Sequence, residues 1–179
     1  MSRRAAPGAD ATLGGVSDGT VVVELTDAPW LPAGGRALVV EGGSPHAPMC
    51  LVRLLARRGD RVFCVPREGA GKLDLPTRRV EADDPDGARA VAALATAVTG
   101  GPGNVCFLGA VTNVVSEAGD DYPWPTPSAN FGVWVTDAMP VVEGSWISLA
   151  GQDVPLRDRH WFPLLARSGS GGTARTALA

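Results

Sequence analysis

The sequence is poor in the residues that build disulfide bridges and zinc sites. Its 179 residues include three cysteines and two histidines. No two cysteines have Cys-x-x-Cys spacing, and neither histidine belongs to a cluster of ligand-type residues, which argues against zinc. Instead, an odd number of cysteines, each set among apolar residues, predicts buried and reduced thiols at Cys50, Cys64 and Cys106.

The chain also lacks an excess of basic charge and any long apolar run. A formal net charge of −3 at pH 7 provides no field for a nucleic-acid backbone, so nucleic acid is not an expected partner. No stretch is apolar for long enough to span a bilayer, and no apolar run follows Arg3 and Arg4, so neither a membrane span nor a secretory signal is predicted. These absences make the cytoplasm the expected location.

The composition is that of a globular α/β domain rich in turns. The 23 glycines and 15 prolines favour loops and strands over a helical bundle. Small and polar residues without periodicity predict a flexible leader at residues 1–18 and a flexible tail at residues 168–179. We therefore expect a single domain over residues 19–167.

Runs of β-branched and apolar residues predict strands along most of this domain. A short helix or turn, interrupted by Pro163, is expected within Pro155–Ala166. The segment Arg57–Asp60 has the composition of a hairpin turn. The expected strands are Val21–Leu25, Ala37–Glu41, Met49–Ala56, Arg61–Pro66, Val105–Val115, Phe131–Thr136, Val141–Val142 and Trp146–Leu149.

One segment, Leu73–Gly100, joins a short strand end, a tight turn, an Asp-Asp-Pro start and an alanine-rich helix. This layout resembles the Nudix hydrolase family, whose box is a glycine-rich turn, a glutamate and a helix ending in Arg-Glu-x-x-Glu-Glu. The run Trp161-Phe-Pro-Leu-Leu165 is similar to a terminal segment that packs on the sheet in that family. The resemblance covers roughly residues 35–166. It implies a Nudix-type α/β/α sandwich with a mixed, partly antiparallel sheet.

The box helix is expected over Pro85–Val98. Val91, Leu94 and Val98 form an apolar stripe that should face the sheet. The opposite side is mostly alanine, which favours either close packing on another segment or a homodimer contact. Alanine is also the best intrinsic helix former, so this composition requires no function.

The resemblance shows which metal ligands are missing. In the family, helix glutamates hold magnesium ions on a diphosphate substrate, because Mg²⁺ prefers oxygen ligands. With Arg78 aligned on the second glycine of the box, Asp84 replaces the glutamate after the turn. The places of the three helix glutamates are taken by Ala93, Thr96 and Ala97. A methyl group cannot bind a metal, so the resemblance implies that efficient family-type hydrolysis is lost.

Acidic residues nevertheless remain near the helix start. Glu81, Asp83 and Asp84 are the candidate metal ligands, and magnesium is the expected cofactor only if they bind it. Glu81 and Glu143 are the candidate catalytic residues, since some Nudix enzymes carry an extra base on a late loop. In the alternative interpretation, Asp83 or Asp84 caps the helix and Asp86 complements its dipole.

Candidate ligand-binding residues lie both within the box and outside it. Arginine can bind two phosphate oxygens at once, but arginines in a turn are often only solvated. Aromatic rings held by prolines can stack on a base, or can simply cover the core. An arginine in an apolar strand can meet a phosphate if it points inward. The candidates are Arg53, Arg78, Arg79, Tyr122, Trp124 and Trp134.

Three functions are consistent with these residues. The first is a Nudix-like protein that binds a nucleotide or other diphosphate-type ligand without efficient hydrolysis. The second is a divergent Mg-dependent pyrophosphohydrolase acting on a nucleoside diphosphate derivative. The third is a metal-independent enzyme on the same scaffold.

Overall fold

The computed structural model describes residues 18–67, 71–151 and 154–167. The expected tail and all but residue 18 of the expected leader lie outside these ranges. In the described part of the chain, the strands are β1 (Thr20–Thr26), β2 (Arg36–Glu41), β3 (Met49–Arg58), β4 (Arg61–Pro66), β5 (Leu73–Asp74), β6 (Thr77–Arg79), β7 (Cys106–Val114), β8 (Ser128–Thr136) and β9 (Ser145–Ser148). The helices are α1 (Ala88–Thr99) and α2 (Pro163–Arg167).

The strands form a mixed sheet with the order β1-β2-β7-β8-β3-β4-β5. β3 and β8 run parallel, whereas the other pairings between described strands are antiparallel. β6 pairs with the first half of β3, and β9 pairs with β4. β3 therefore connects the box segment to the central strands.

Alternation along β3 separates two cores, one on each face of the sheet. Val52 and Leu54 pack with α1 on one face, whereas Leu51 and Leu55 belong to the opposite core. That second core also contains Leu164 of α2. One helix thus covers each face, which agrees with the expected α/β/α layers.

The predicted apolar stripe of α1 is confirmed. Val91, Leu94 and Val98 are buried against the sheet, and each contributes about 1.5–3 kcal/mol of burial free energy. The side opposite the stripe stays exposed at Ala92 and Ala97, so the described part of the chain does not cover it.

The helices begin at other residues than expected. α1 begins at Ala88 rather than Pro85, because Gly87 before it has a left-handed backbone with φ 78°. Pro163 does not interrupt α2 but begins it, a position where the missing proline N–H costs nothing.

Two further local predictions are wrong. Val141–Val142 is not a strand; it is an exposed loop whose Val141 N–H donates to the carbonyl of Val98, at the end of α1. Cys106 is exposed at the start of β7, whereas Cys50 and Cys64 are buried as expected. Burial raises the pKa of Cys50, and raises that of Cys64 to about 12.

A buried polar cluster fixes the segment before α2. The Trp161 indole Nε1 donates to Asp74 Oδ1 at 2.9 Å, and the Leu75 N–H donates to the same oxygen at 2.8 Å. Arg159 lies 3.8 Å from the other Asp74 oxygen and donates to the Leu73 carbonyl. These bonds tie the segment that carries His160 to the chain at β5. Neither described helix has both the length and the apolar character needed to cross a membrane.

Candidate functional site

A cavity of about 200 Å³ lies on the sheet face opposite α1. We call it the Arg53 cleft. Its floor comes from three central strands and its walls from loops that are far apart in the sequence. It is lined by Leu51 and Arg53 of β3, Val111 and Asn113 of β7, Phe131 of β8, and Trp30, Arg67, Trp124 and His160.

Arg53 provides the main positive charge of this cleft. Its position in β3 alternates with Val52 and Leu54, so its side chain lies on the face away from α1. The Nε and Nη1 atoms are buried and have no hydrogen-bond partner among the described residues. Burial lowers the pKa of Arg53 to about 10, so the guanidinium is still charged at neutral pH. An unpaired buried charge is costly, and an anion in the cleft would remove that cost.

The groups around Arg53 make the cleft predominantly basic. Arg67 and His160 line it, and Arg159 is close enough to act on the same groups. Burial, and secondly the charge of Arg53, lowers the pKa of His160. Asp74 is the acidic group that opposes these charges, and its carboxylate is already bonded to Trp161.

Aromatic rings form the walls of the cleft. His160 stacks on Trp30 with a centroid distance of 3.6 Å and an interplanar angle of 15°. Trp124 meets Phe131 edge-to-face at 5.1 Å. Arg53 and Trp124 of the predicted ligand set thus come together here, although Trp30 and His160 were not predicted to join them.

A second cavity, of about 520 Å³, adjoins the first, because Trp30 and Trp124 line both. We call it the aromatic–proline cleft. It contains Tyr122, another of the predicted aromatic residues, whose hydroxyl accepts a hydrogen bond from Asn113 Nδ2 at 3.4 Å. Its lining is Pro29, Trp30, Leu31, Pro32, Gly119, Asp121, Tyr122, Pro123 and Trp124.

The predicted residues of the box gather in a separate open cavity of about 360 Å³, here called the box cleft. It is lined by Arg78, Arg79, Glu81, Asp83, Asp84, Arg89, Ala90 and Ala93. Arg79 connects this region to the aromatic residues, since its guanidinium carbon lies 4.8 Å from the centroid of the Trp124 ring. Arg78 and Arg79 are both exposed.

Two carboxylates of the box cleft, those of Asp83 and Asp84, make contacts at the start of α1. Asp84 is buried and accepts hydrogen bonds from the backbone N–H groups of Arg89 and Ala90, at 3.2 and 2.8 Å. These are two of the orphan donors of α1, so Asp84 caps the helix as the alternative interpretation expected. Asp83 lies 2.5 Å from Arg89, and this arginine lowers the pKa of the exposed Asp83 carboxyl.

This arrangement does not fit the magnesium ion that the family resemblance implies. Asp84 Oδ1 and Oδ2 both point at helix amides, and Asp83 is paired with Arg89. Within the described ranges, no three His, Cys, Asp or Glu side chains are grouped so that they could hold a metal ion. Ala93, at one of the family's glutamate places, presents a methyl group to this cleft.

Two predicted residues lie apart from these clefts. Trp134 is three residues after Phe131 in β8, so its ring is on the opposite face, buried against Phe107 in the α1 core. Its predicted role in ligand binding is therefore corrected to packing. Glu143 is exposed in the loop before β9, and it lines none of the three clefts. Glu81 lies in the box cleft near the start of α1, whereas the loop that carries Glu143 contacts the end of α1 through the Val141 N–H. The structure therefore does not bring the two candidate catalytic residues together.

Comparison with known proteins supports the predicted fold but does not identify a reaction. No family model matches the chain, and no curated protein matches it. A crystal structure of a mutant of the Bacillus subtilis pyrophosphohydrolase BsRppH is similar, with a TM-score of 0.57, 12% identity, and coverage of 84% of this chain and 98% of that chain. BsRppH is a Nudix enzyme, so the likeness confirms the predicted Nudix-like fold. Fold alone does not establish the reaction.

Proposed function

We propose that this chain binds a nucleotide or other diphosphate-type ligand on its Nudix-like scaffold and does not hydrolyse it efficiently. The observation that carries this proposal is the buried, charged guanidinium of Arg53, which lines the cleft and whose Nε and Nη1 atoms have no hydrogen-bond partner among the described residues. The anionic part of the ligand lies in the Arg53 cleft.

A phosphate group suits this cleft for two physical reasons. A guanidinium donates charge-assisted hydrogen bonds to phosphate oxygens, and its planar fork can bind two oxygens of one phosphate. Arg67 also lines the cleft and Arg159 lies nearby, so a bound anion would offset the repulsion between these arginines and Arg53. A neutral ligand would leave the charge of Arg53 uncompensated.

Inefficient hydrolysis follows from the box cleft. A Nudix reaction requires metal ions to activate water, and two of the three acids of this cleft, Asp84 and Asp83, are bonded to α1 amides and to Arg89. The Arg53 cleft also lies on the other face of the sheet from α1. The bound phosphates would therefore lie away from the α1 position of Ala93, where the family places a helix glutamate.

Calorimetric titration with diphosphate compounds, with and without Mg²⁺, tests the proposal. We expect binding that does not need Mg²⁺ and that weakens by about 10- to 150-fold in Arg53→Met, since a charged hydrogen bond is worth roughly 1.5–3 kcal/mol. The thermal stability of unliganded Arg53→Met should stay equal or rise, because methionine removes a buried charge at similar length. Arg78→Met, which removes an exposed arginine of the box cleft, is the matched control and should bind normally.

A phosphate-release assay separates the second candidate function. The divergent hydrolase requires Mg²⁺-dependent release that falls in Glu81→Ala. Rapid release of that kind, or diphosphate affinity that Arg53→Met leaves unchanged, would contradict the proposal. Release of a non-phosphate product without metal would favour the metal-independent enzyme.

A further inference from the structure

We infer that the aromatic–proline cleft is the subsite for the planar ring of the ligand, so that the site selects a nucleoside phosphate over inorganic diphosphate and over a prenyl diphosphate. This inference rests on the proposed function, because it assumes that the anionic end of the same ligand lies at Arg53. It adds the chemical class of the other end of the ligand.

The size of the Arg53 cleft is the first argument. Small-molecule sites typically enclose roughly 300–1,000 Å³. The Arg53 cleft has about 200 Å³, which suits a phosphate group but not a whole nucleotide. The remainder of such a ligand must lie in an adjoining space. The aromatic–proline cleft, with about 520 Å³, provides it.

The second argument is that the two clefts are continuous. Trp30 and Trp124 line both, so they stand where a ligand would pass from one cleft to the other. Trp30 is 36% exposed although it is a large apolar side chain. His160 covers one face of its ring at 3.6 Å. Trp30 therefore lies in the cleft wall with part of its ring surface exposed.

The third argument concerns the shape and chemistry of the lining. Trp30, Tyr122 and Trp124 provide ring surfaces, and Pro29 and Pro123 restrict the backbone of the loops that carry them. A wall that is already rigid loses little conformational entropy when a ring binds against it. A flat heterocycle matches such surfaces better than a flexible prenyl chain, which must itself be ordered.

Asp121 adds a polar preference. Asp121 lines the aromatic–proline cleft, and a carboxylate is a hydrogen-bond acceptor. The N–H groups of a nucleobase and the O–H groups of its sugar can donate to this acceptor, whereas a prenyl chain has no donor. The lining thus combines ring surfaces with an acceptor, as expected for a nucleoside.

Three probes, namely inorganic diphosphate, GDP and geranyl diphosphate, test the inference by calorimetry. The variants are Trp30→Leu, Trp30→Phe and Arg53→Met. Stacking of a base on an aromatic side chain changes affinity by roughly 5- to 150-fold. We expect Trp30→Leu to weaken GDP binding within that range and to leave inorganic diphosphate unchanged, with Trp30→Phe intermediate. Arg53→Met should weaken all three probes.

The outcomes also separate this inference from the proposed function. Equal affinity of the wild-type chain for GDP and inorganic diphosphate would overturn the ring subsite, as would equal losses of both in Trp30→Leu. Tighter binding of geranyl diphosphate than of GDP would assign the cleft to an apolar chain instead. If none of the probes binds, or if Arg53→Met changes nothing, the proposed function itself fails. Because His160 lines the Arg53 cleft, disturbance of its stack on Trp30 would weaken inorganic diphosphate as well, whereas loss of the ring contact should weaken GDP alone.

Discussion

Replacing Asp84 by alanine distinguishes a helix cap from a metal ligand. The wild-type carboxylate satisfies two backbone N–H groups, those of Arg89 and Ala90, in a buried position. Loss of a helix cap costs about 0.5–2 kcal/mol, and a buried donor left without a partner costs about 1–3 kcal/mol. Because water can reach part of the helix start after truncation, we expect a loss of about 1–3 kcal/mol in the free energy of unfolding.

Thermal and urea unfolding without Mg²⁺ measure this loss. For a chain of this length, each kcal/mol lowers the melting temperature by roughly 2–4 °C, so Asp84→Ala should melt about 2–12 °C below the wild type. Asp83→Ala is the control, since this exposed carboxylate pairs with Arg89 and caps nothing. Its melting temperature should change little. Asp84→Asn keeps one oxygen acceptor and should fall in between.

The opposite result would refute the reasoning. If Asp84→Ala unfolds at the wild-type temperature in the absence of metal, the two hydrogen bonds do not stabilise α1. If Mg²⁺ then stabilises the wild type but not Asp84→Ala, Asp84 binds the ion, and the box cleft is a metal site after all.

Two further predictions concern other parts of the fold. In Gly87→Ala, the new Cβ would lie 2.9 Å from core atoms of β3 at a φ of 78°, so urea unfolding should show a loss of about 2–5 kcal/mol. Gly100→Ala has a φ of 79° but a nearest contact of 3.4 Å, so it should lose only about 1–2 kcal/mol, and equal losses would exclude the steric explanation. The pKa of His160 is lowered below its ordinary 6.5, first by burial, so the unfolded chain binds more protons there and stability falls as pH is lowered through 6.5. His160→Phe keeps a ring against Trp30, and its stability measured at pH 7.5 and pH 5 should fall less than that of the wild type; an identical fall would assign the pH dependence to other groups.

Local elements of the fold could be predicted because they depend on short patterns. The β-branched runs identify most strands, and the stripe of Val91, Leu94 and Val98 identifies the buried side of α1. Element ends were less predictable, since the start of α1 depends on the backbone of Gly87 against β3 rather than on the preferences of Pro85.

The site could be predicted only in part, because it is built from distant segments. Arg53 was expected to matter if it pointed inward, and alternation along β3 determines that it does. Trp30 and His160 are 130 residues apart in sequence, and no local pattern indicates that they stack. Trp134 was grouped with Trp124 by closeness in sequence. Counting alternation from the apolar Phe131 would have placed it on the opposite face.

The parallel pairing of β3 with β8 also has a consequence for how the chain folds. Leu51 is the partner of Phe131, about 80 residues later, so the middle of the sheet closes only after a long loop has been ordered. Contacts of such high sequence separation slow folding, because the entropy of loop closure is lost before the pairing stabilises the chain. During synthesis, β3 emerges well before β8 and leaves an apolar edge open until the ribosome has passed Thr136. In that interval the nascent chain presents the kind of surface that chaperones bind.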